Sequence, residues 1–230
     1  MELLKNGSTG PLLHYLQQKL SLLGYSFDNE QSFGAKTLSV VNEFQQSNGI
    51  KVDGLVGGQT WLKIYLKTET PRVPVARIDR SNDIRFLHPK VRVAVVKVYT
   101  QLQSEGIPFK IYEAFRYPER QAKLYAQGRT EPGKIVTYAQ PWSSYHQYGL
   151  AVDFVLLING NWSWDTSSAQ SEWWSKMNKI GISEGLMPLN FERPHLQNTG
   201  TSSNALRQGI YPDGGDQTWT DNFSAAIRGA

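Results

Sequence analysis

The fold is decided by residues 143–154, Ser143-Ser144-Tyr145-His146-Gln147-Tyr148-Gly149-Leu150-Ala151-Val152-Asp153-Phe154, which place a histidine and an aspartate beside apolar residues. Residues 148–158 are almost all aromatic, β-branched or aliphatic, which is typical of a buried strand. Asp153 lies in the middle of this run. A buried carboxylate is unfavourable unless it is paired or bound to a cation. The pattern therefore predicts that an arginine, a lysine or a metal ion lies opposite Asp153.

Successive side chains of a strand point to opposite faces, so Asp153 is expected to share one face with small residues. That face is predicted to carry Gly149, Ala151 and Asp153, and the other face Leu150, Val152 and Phe154. The small residues leave room for the ring of His146, just upstream, to fold over the same space. A hydrolytic zinc site usually has three protein ligands and one position open to water. We therefore expect a third ligand elsewhere in the chain.

The chain contains four histidines and no cysteine, which limits the candidates for that third ligand. His14, in a predicted N-terminal helix, and His88, at a predicted helix start, are more simply explained as structural or surface residues. His195 follows Glu192 by three positions, and the proline just before His195 favours an extended backbone. We therefore expect both residues on a bend that leads into a strand, with His195 as third ligand and Glu192 close to the metal-bound water.

These residues form a signature in two parts. The first part is Ser144-x-His146-x-x-Gly149-x-Ala151-x-Asp153, and the second is Glu192-x-x-His195. The signature resembles the zinc peptidases of the D-alanyl-D-alanine carboxypeptidase and L-alanyl-D-glutamate endopeptidase family, which cleave peptidoglycan stem peptides. The resemblance implies that His146, Asp153 and His195 bind Zn²⁺ and that Glu192 is the general base. Two core histidines and an arginine-paired aspartate explain each residue alone, but the joint spacing favours the metal site.

An upstream segment extends the resemblance. Glu113-Ala114-Phe115-Arg116-Tyr117 is followed by Gln121, Leu124-Tyr125 and Gly128-Arg129-Thr130. It is similar to the family segment in which an arginine polarises the scissile carbonyl, and this implies the same role for Arg116. Arg116 could instead pair with Asp153 or Glu113, but a cation is more useful where negative charge grows in the transition state. Gln121 and Ser144 are candidate substrate-binding residues, although Ser144 is equally well explained as orienting His146 or capping a turn.

The N-terminal part of the chain, residues 1–67, is predicted to be a small helical domain. Leucines at helical spacing follow Pro11 and end at Gly24, a second helix is expected over residues 36–48, and a third starts at Thr60. The whole region resembles the three-helix peptidoglycan-binding domain. The residues that carry this resemblance are Leu16-Gln17, Gly24-Tyr25, Phe33-Gly34, Thr37, Phe44-Gln45, Asp53-Gly54-Leu55-Val56-Gly57 and Thr60-Trp61.

The rest of the chain is predicted to be a zinc peptidase domain over residues 80–230, joined by a semi-rigid proline-containing linker over residues 68–79. Helices are expected at residues 89–105, 119–127 and 171–185, strands at residues 109–115 and 148–158, and a hairpin turn at residues 159–161. His195 is expected on a further strand, and the tail from residue 201 to wrap around this domain. The fold class is therefore α+β, with a central antiparallel sheet in the second domain.

Composition narrows the class of partner. Lys and Arg total 24 against 20 Asp and Glu, a formal net charge of +4, which favours polyanionic surroundings such as cell-wall polymers. Basic residues are not interleaved with aromatic ones as a nucleic-acid-binding stripe requires, so we expect no nucleic-acid partner. The absence of cysteine excludes disulfides and thiolate metal sites. The N-terminus has no basic head followed by an apolar run, and no stretch is apolar enough for membrane insertion.

Together the two resemblances imply a zinc-dependent peptidoglycan hydrolase of the endolysin type that cleaves an amide bond of the stem peptide. The segment Gly128-Arg129-Thr130 and the tail at Tyr211-Pro212 look more like the L-alanyl-D-glutamate endopeptidase branch, which implies cleavage of that bond. The N-terminal domain would anchor it to bacterial peptidoglycan, and we expect a monomer. Without a secretory signal, it would be made in the host cytoplasm and reach the wall after release, as a phage lysin does. The alternatives are a D-alanyl-D-alanine carboxypeptidase and a cell-wall-binding protein without catalytic activity.

Overall fold

The computed structural model of the protein describes residues 1–28, 30–69 and 75–229. Its N-terminal part contains three helices, α1 (Pro11–Leu22), α2 (Ala35–Ser47) and α3 (Gly58–Thr68). They lie within two residues of the predicted positions, because buried leucines at helical spacing and the flanking glycines mark them clearly. Of the predicted linker, residues 70–74 lie outside the described residues.

The remainder of the chain builds one antiparallel sheet and the helices around it. Its elements are α4 (Pro89–Ser104), β1 (Phe109–Glu113), α5 (Pro118–Ala126), β2 (Ala151–Ile158), β3 (Asn161–Ser163), α6 (Ser168–Ser183), β4 (Leu186–Leu189), β5 (Glu192–Asn198), α7 (Ser203–Arg207) and α8 (Gln217–Arg228). The sheet order is β1-β2-β5-β4, and β3 pairs with the end of β2. The predicted α+β class is confirmed. No helix in the described ranges is both long and apolar enough to cross a membrane.

The helices α4 and α6 pack against each other and against the sheet. The apolar stripe of α4, formed by Val91, Val95, Val98 and Leu102, is fully buried. Trp174 of α6 meets Phe109 of β1 edge to face, with ring centroids 4.8 Å apart. The first three helices continue this packing, because α1 and α3 contact α4 and one hydrophobic core runs through both parts. Tyr65 of α3 stacks edge to face on Tyr99 of α4 at 5.1 Å.

The register of the sheet aligns three polar residues across three strands. Glu113 of β1 is opposite Asp153 of β2, and Asp153 is opposite His195 of β5. Directly paired residues of antiparallel strands project from the same face. Strand pairing alone therefore brings an aspartate and a histidine distant in sequence into one row, with Glu113 at its end.

The strand that carries Asp153 does not start at residue 148, as the sequence predicts. Tyr145–Tyr148 form a 3₁₀ turn closed by Gly149 at φ +66°, and β2 begins at Ala151. Gly149 therefore does not share a strand face with Asp153. A Cβ at this position would lie 2.7 Å from the carbonyl oxygen of Phe86 and 3.1 Å from Trp219, so the glycine allows close packing there rather than opening a metal cavity.

The tail does pack against the second part of the chain, as expected, mainly through α8, a helix that was not predicted from the sequence. Trp219 donates a hydrogen bond from Nε1 to the carbonyl oxygen of Tyr148 at 2.8 Å and lies edge to face on His88. It also stacks on Phe223 of the same helix, with ring planes 2° apart. The tail therefore supports the turn that carries His146.

Replacing Gly149 with alanine is expected to lower the free energy of unfolding by about 2–4 kcal/mol, because both the left-handed backbone and the clash with Phe86 and Trp219 are unfavourable. Gly160→Ala is the matched control, because Gly160 has φ +78° and nothing within 4 Å of its would-be Cβ. The free energy of unfolding of Gly160→Ala is expected to fall by only about 1 kcal/mol. Denaturant unfolding followed by tryptophan fluorescence measures both, and equal losses would contradict the packing described here.

Candidate metal centre

Three side chains converge on one point at the sheet. His146 Nε2 lies 3.1 Å from Asp153 Oδ1 and 3.2 Å from His195 Nδ1, and His195 Nδ1 lies 3.1 Å from the same carboxylate oxygen. All three residues are buried. Within the described parts of the chain, they are the only group of three or more His, Cys, Asp or Glu side chains placed to hold a metal ion. The structure thus brings together the three predicted ligands.

The outer nitrogens of both imidazoles face carbonyl oxygens. His146 Nδ1 lies 2.7 Å from the backbone oxygen of Ala114, and His195 Nε2 lies 3.0 Å from Gln197 Oε1. A carbonyl oxygen only accepts hydrogen bonds, so each outer nitrogen must carry the proton and donate. In the neutral rings, both inner nitrogens then present lone pairs to the centre.

The centre consequently consists of three acceptor atoms that need a shared positive charge. Burial alone would raise the pKa of Asp153, but His146 and His195 hold it well below its ordinary value. Burial likewise opposes protonation of His195, yet Asp153 raises the pKa of this histidine. Arg116 offsets part of the charge of Asp153 at Oδ2, and at Oδ1 a proton shared with the imidazoles or a metal cation would offset the rest.

His146 is held in place by the 3₁₀ turn in which it lies. The Ser144 hydroxyl accepts a hydrogen bond from the His146 backbone N–H, and Gln147 Oε1 accepts one from the Ser144 backbone N–H at 3.1 Å, forming a capping box. The His146 carbonyl accepts a further hydrogen bond from the backbone N–H of Arg116. Ser144 thus caps the turn, as one of its predicted roles required, and it also lines the cleft.

Arg116 makes both of the ion pairs considered as alternatives to a catalytic role. Its Nη2 lies 2.7 Å from Glu113 Oε2 and 3.3 Å from Asp153 Oδ2. Its Nη1 donates to Gln121 Oε1 at 3.0 Å, whereas Nε has no hydrogen-bond partner among the described residues. Gln121 is fully buried and donates to the carbonyl oxygen of Ala139, so its position favours holding Arg116 over contacting a substrate.

A cleft of about 560 Å³ opens beside the metal centre. Glu192, Arg116, His146 and His195 all line it. Glu192 is exposed at the start of β5, where its carboxylate is accessible from the cleft. Large apolar side chains flank the opening, and two of them, Tyr138 and Phe191, are 84% and 85% exposed. The cleft therefore combines a buried ligand set with an accessible carboxylate and apolar rims.

Sequence reasoning considered Glu113 as a partner of Arg116 but missed one residue that orients the site, Gln197, the acceptor for His195. Gln197 could have been found, because it lies two positions after His195 and so shares its face of the strand. The loop over residues 135–139 and Phe191 were also missed as cleft residues, since no local pattern marks them.

Comparison with known proteins agrees with this geometry. Residues 84–204 match the family model for D-alanyl-D-alanine carboxypeptidase (VanY), and residues 9–64 match the model for a peptidoglycan-binding domain. The peptidoglycan L-alanyl-D-glutamate endopeptidase CwlK of Bacillus subtilis (strain 168) is 41% identical over 93 residues, which are 38% of this chain and 56% of CwlK. An uncharacterized protein in the bpoA1 3′ region of Kitasatospora aureofaciens is 36% identical over 75 residues, 32% of this chain and 64% of that protein.

Among solved structures, an L,D-carboxypeptidase, DacB from Streptococcus pneumonia, superimposes with a TM-score of 0.39 and 21% identity, covering 60% of this chain and 88% of that chain. The chain matches less than two thirds of the length of each of the two curated relatives.

The family model spans more than half of the chain, and all three residues of the metal centre lie inside the matched region. The resemblance predicted from the two-part signature is thereby confirmed. This chain belongs to the D-alanyl-D-alanine carboxypeptidase (VanY) family of peptidases and carries a peptidoglycan-binding domain in front of its peptidase domain.

Proposed function

We propose that this chain is a zinc-dependent peptidoglycan hydrolase that cleaves the L-alanyl-D-glutamate bond of the stem peptide while its N-terminal domain, predicted over residues 1–67, holds it on the wall. The observation that carries the proposal is the triangle of two imidazole nitrogens and one carboxylate oxygen beside an open cleft. We further propose that it acts as a monomer after release from the cell that makes it, where its net charge of +4 favours contact with anionic wall polymers.

Zinc fits the donor set. Two imidazoles and one carboxylate with room for water are the usual ligands of a hydrolytic zinc ion. Ligand atoms around tetrahedral zinc lie about 3.3 Å apart when the bonds are about 2.0–2.1 Å long. The three ligand atoms here are separated by 3.1–3.2 Å, so they suit a tetrahedral ion with little rearrangement. Zinc held there supplies a Lewis acid that polarises a carbonyl and makes water a stronger nucleophile.

The residues of the chain then share the remaining work. Glu192, exposed in the cleft, takes a proton from the attacking water and delivers it to the leaving amine. Arg116 lines the cleft. Its guanidinium charge would attract the carbonyl oxygen of a bound peptide, and more strongly as negative charge develops on that oxygen.

Carboxypeptidase activity on D-alanyl-D-alanine is the second candidate, and the matching family model favours it. A carboxypeptidase needs a positive group to hold the free carboxylate of its substrate. Arg116 is the one arginine or lysine among the described residues that line the cleft, and its charge is already matched by Glu113 and Asp153. The similarity to CwlK also favours the endopeptidase.

Removing the metal is expected to abolish hydrolysis, because Lewis-acid activation of water is lost. Purified peptidoglycan should lose turbidity with the untreated chain, stay turbid after exhaustive chelation, and clear again when Zn²⁺ is returned. His195→Ala should lose bound metal, whereas His14→Ala, at an exposed position of α1, should retain it. A chain that carries no stoichiometric metal, or that clears walls equally well after chelation, would refute the proposal.

Replacing the proposed base by its isosteric amide, Glu192→Gln, is expected to lower kcat by roughly 10²–10⁴-fold. Zinc content should be unchanged, since Glu192 is not one of the three ligands. Glu172→Gln, at an exposed position of α6, is the control for a lost surface carboxylate and should keep full activity. Retention of activity by Glu192→Gln would rule out its role as base.

The scissile bond can be identified by mass spectrometry of digested peptidoglycan. Cleavage between L-alanine and D-glutamate releases stem peptides that begin with D-glutamate and leaves L-alanine on the glycan. Such peptides are the expected product. Free D-alanine as the main product would instead establish the carboxypeptidase, and no soluble product in the presence of bound zinc would favour a binding protein.

A further inference from the structure

A buried carboxylate next to the metal centre has no part in the proposed reaction. Glu113 is 2% exposed and lies opposite Asp153 in the sheet, at the end of the row that Asp153 and His195 begin. It is not among the residues that line the cleft. Its two oxygens are each paired with an arginine, Oε2 with Arg116 at 2.7 Å and Oε1 with Arg120.

The two oxygens of Asp153 face different charges. Oδ1 lies 3.1 Å from both inner imidazole nitrogens, whereas Oδ2 lies 3.3 Å from Arg116 Nη2. The same Nη2 is closer to Glu113, at 2.7 Å. One guanidinium nitrogen is therefore shared by two buried carboxylates, and the shorter contact is with the carboxylate that does not belong to the metal centre.

This sharing matters because Arg116 and a metal ion compete for the negative charge of Asp153. A buried guanidinium left with a single carboxylate pairs with it as closely as geometry permits, since an uncompensated buried charge is strongly unfavourable. Without Glu113, that single carboxylate would be Asp153. The ligand would then be drawn toward Arg116, and its charge would be less available to a divalent cation.

We propose that Glu113 is a positioning residue for the metal centre: by pairing with Arg116, it leaves Asp153 Oδ1 free to bind the metal. Arg120 completes the arrangement by pairing with the outer oxygen of Glu113, and its side chain is 15% exposed. The inference rests on the proposed function only in that the cation is taken to be zinc. A purely structural Glu113 would affect folding but not the zinc affinity of the folded chain.

The test is the zinc affinity of Glu113→Gln, measured on the full chain by competition with a chromophoric chelator. We expect the dissociation constant to rise at least roughly tenfold, the effect typical of losing a residue that supports a metal ligand. Arg120→Gln is the matched control, because it breaks the same ion-pair network but leaves the Glu113 carboxylate beside Arg116. Its zinc dissociation constant should change by less than about threefold.

A double-mutant cycle with Arg116→Met distinguishes action through Arg116 from a general loss of negative charge. Arg116→Met alone should bind zinc at least as tightly as the unmodified chain, since Asp153 loses a competing partner. In that background, adding Glu113→Gln should weaken zinc binding by less than about threefold. Equal weakening in both backgrounds would overturn the proposal, as would unchanged affinity in Glu113→Gln.

Circular dichroism and denaturant unfolding show whether each variant is folded before its affinity is compared. Should Glu113→Gln not fold, Glu113→Asp takes its place, because the shorter side chain withdraws the carboxylate from Arg116 while keeping the charge. It should bind zinc more weakly than the unmodified chain, and equal affinity would reject the proposal. If the unmodified chain itself binds no zinc, the proposed function fails; if it binds zinc and the Glu113 variants bind as tightly, only this inference fails.

Discussion

The carboxylate of Asp153 lies in the central strand of the sheet and needs positive charge on both of its oxygens. Burial makes an isolated carboxylate in this position strongly unfavourable. Arg116 provides positive charge beside Oδ2. Oδ1 faces the two imidazole nitrogens, in a group that could hold a metal cation. Three features of the fold each place a partner on a defined side of Asp153. They are the register of β1, β2 and β5, the capped turn before β2 and the arginine after β1.

Much of this could be predicted from local sequence. Most of the helices follow from apolar spacing with proline and glycine at their ends, and the candidate metal ligands follow from polar residues placed where apolar ones are expected. The error at residues 148–150 arose because an aromatic 3₁₀ turn is as apolar as a strand. Its capping box, with Ser144 followed three positions later by Gln147, was present in the sequence and could have indicated a turn. The helix α8 could also have been predicted from the sequence. Asp216 caps its start, and the apolar residues Trp219, Phe223 and Ala226 follow at helical spacing and are buried.

The partners of Arg116 could not be chosen from sequence, because the choice depends on strand register. Glu113 meets Asp153 only after an irregularity in the pairing of β1 with β2, between Ile111 and Glu113. Such an irregularity shifts which side chains share a face, and no local pattern encodes it. The packing of the N-terminal helices on α4 is likewise non-local. Tyr99 bridges the two parts by stacking on Tyr65 and donating a hydrogen bond to Glu69, which is itself paired with Lys19.

The charges around the centre explain how an arginine can be buried there, and they are compatible with the proposed role of Arg116 opposite a developing oxyanion. The carboxylates of Glu113 and Asp153 balance the guanidinium groups of Arg116 and Arg120, so this network is neutral. A dication held by the three candidate ligands, next to the carboxylate of Glu192, would leave about one net positive charge facing the cleft. An oxyanion forming there would neutralise that charge, whereas a neutral peptide in the ground state would not. With a dication bound, the arrangement would therefore favour the transition state over the bound substrate, which is the condition for electrostatic catalysis.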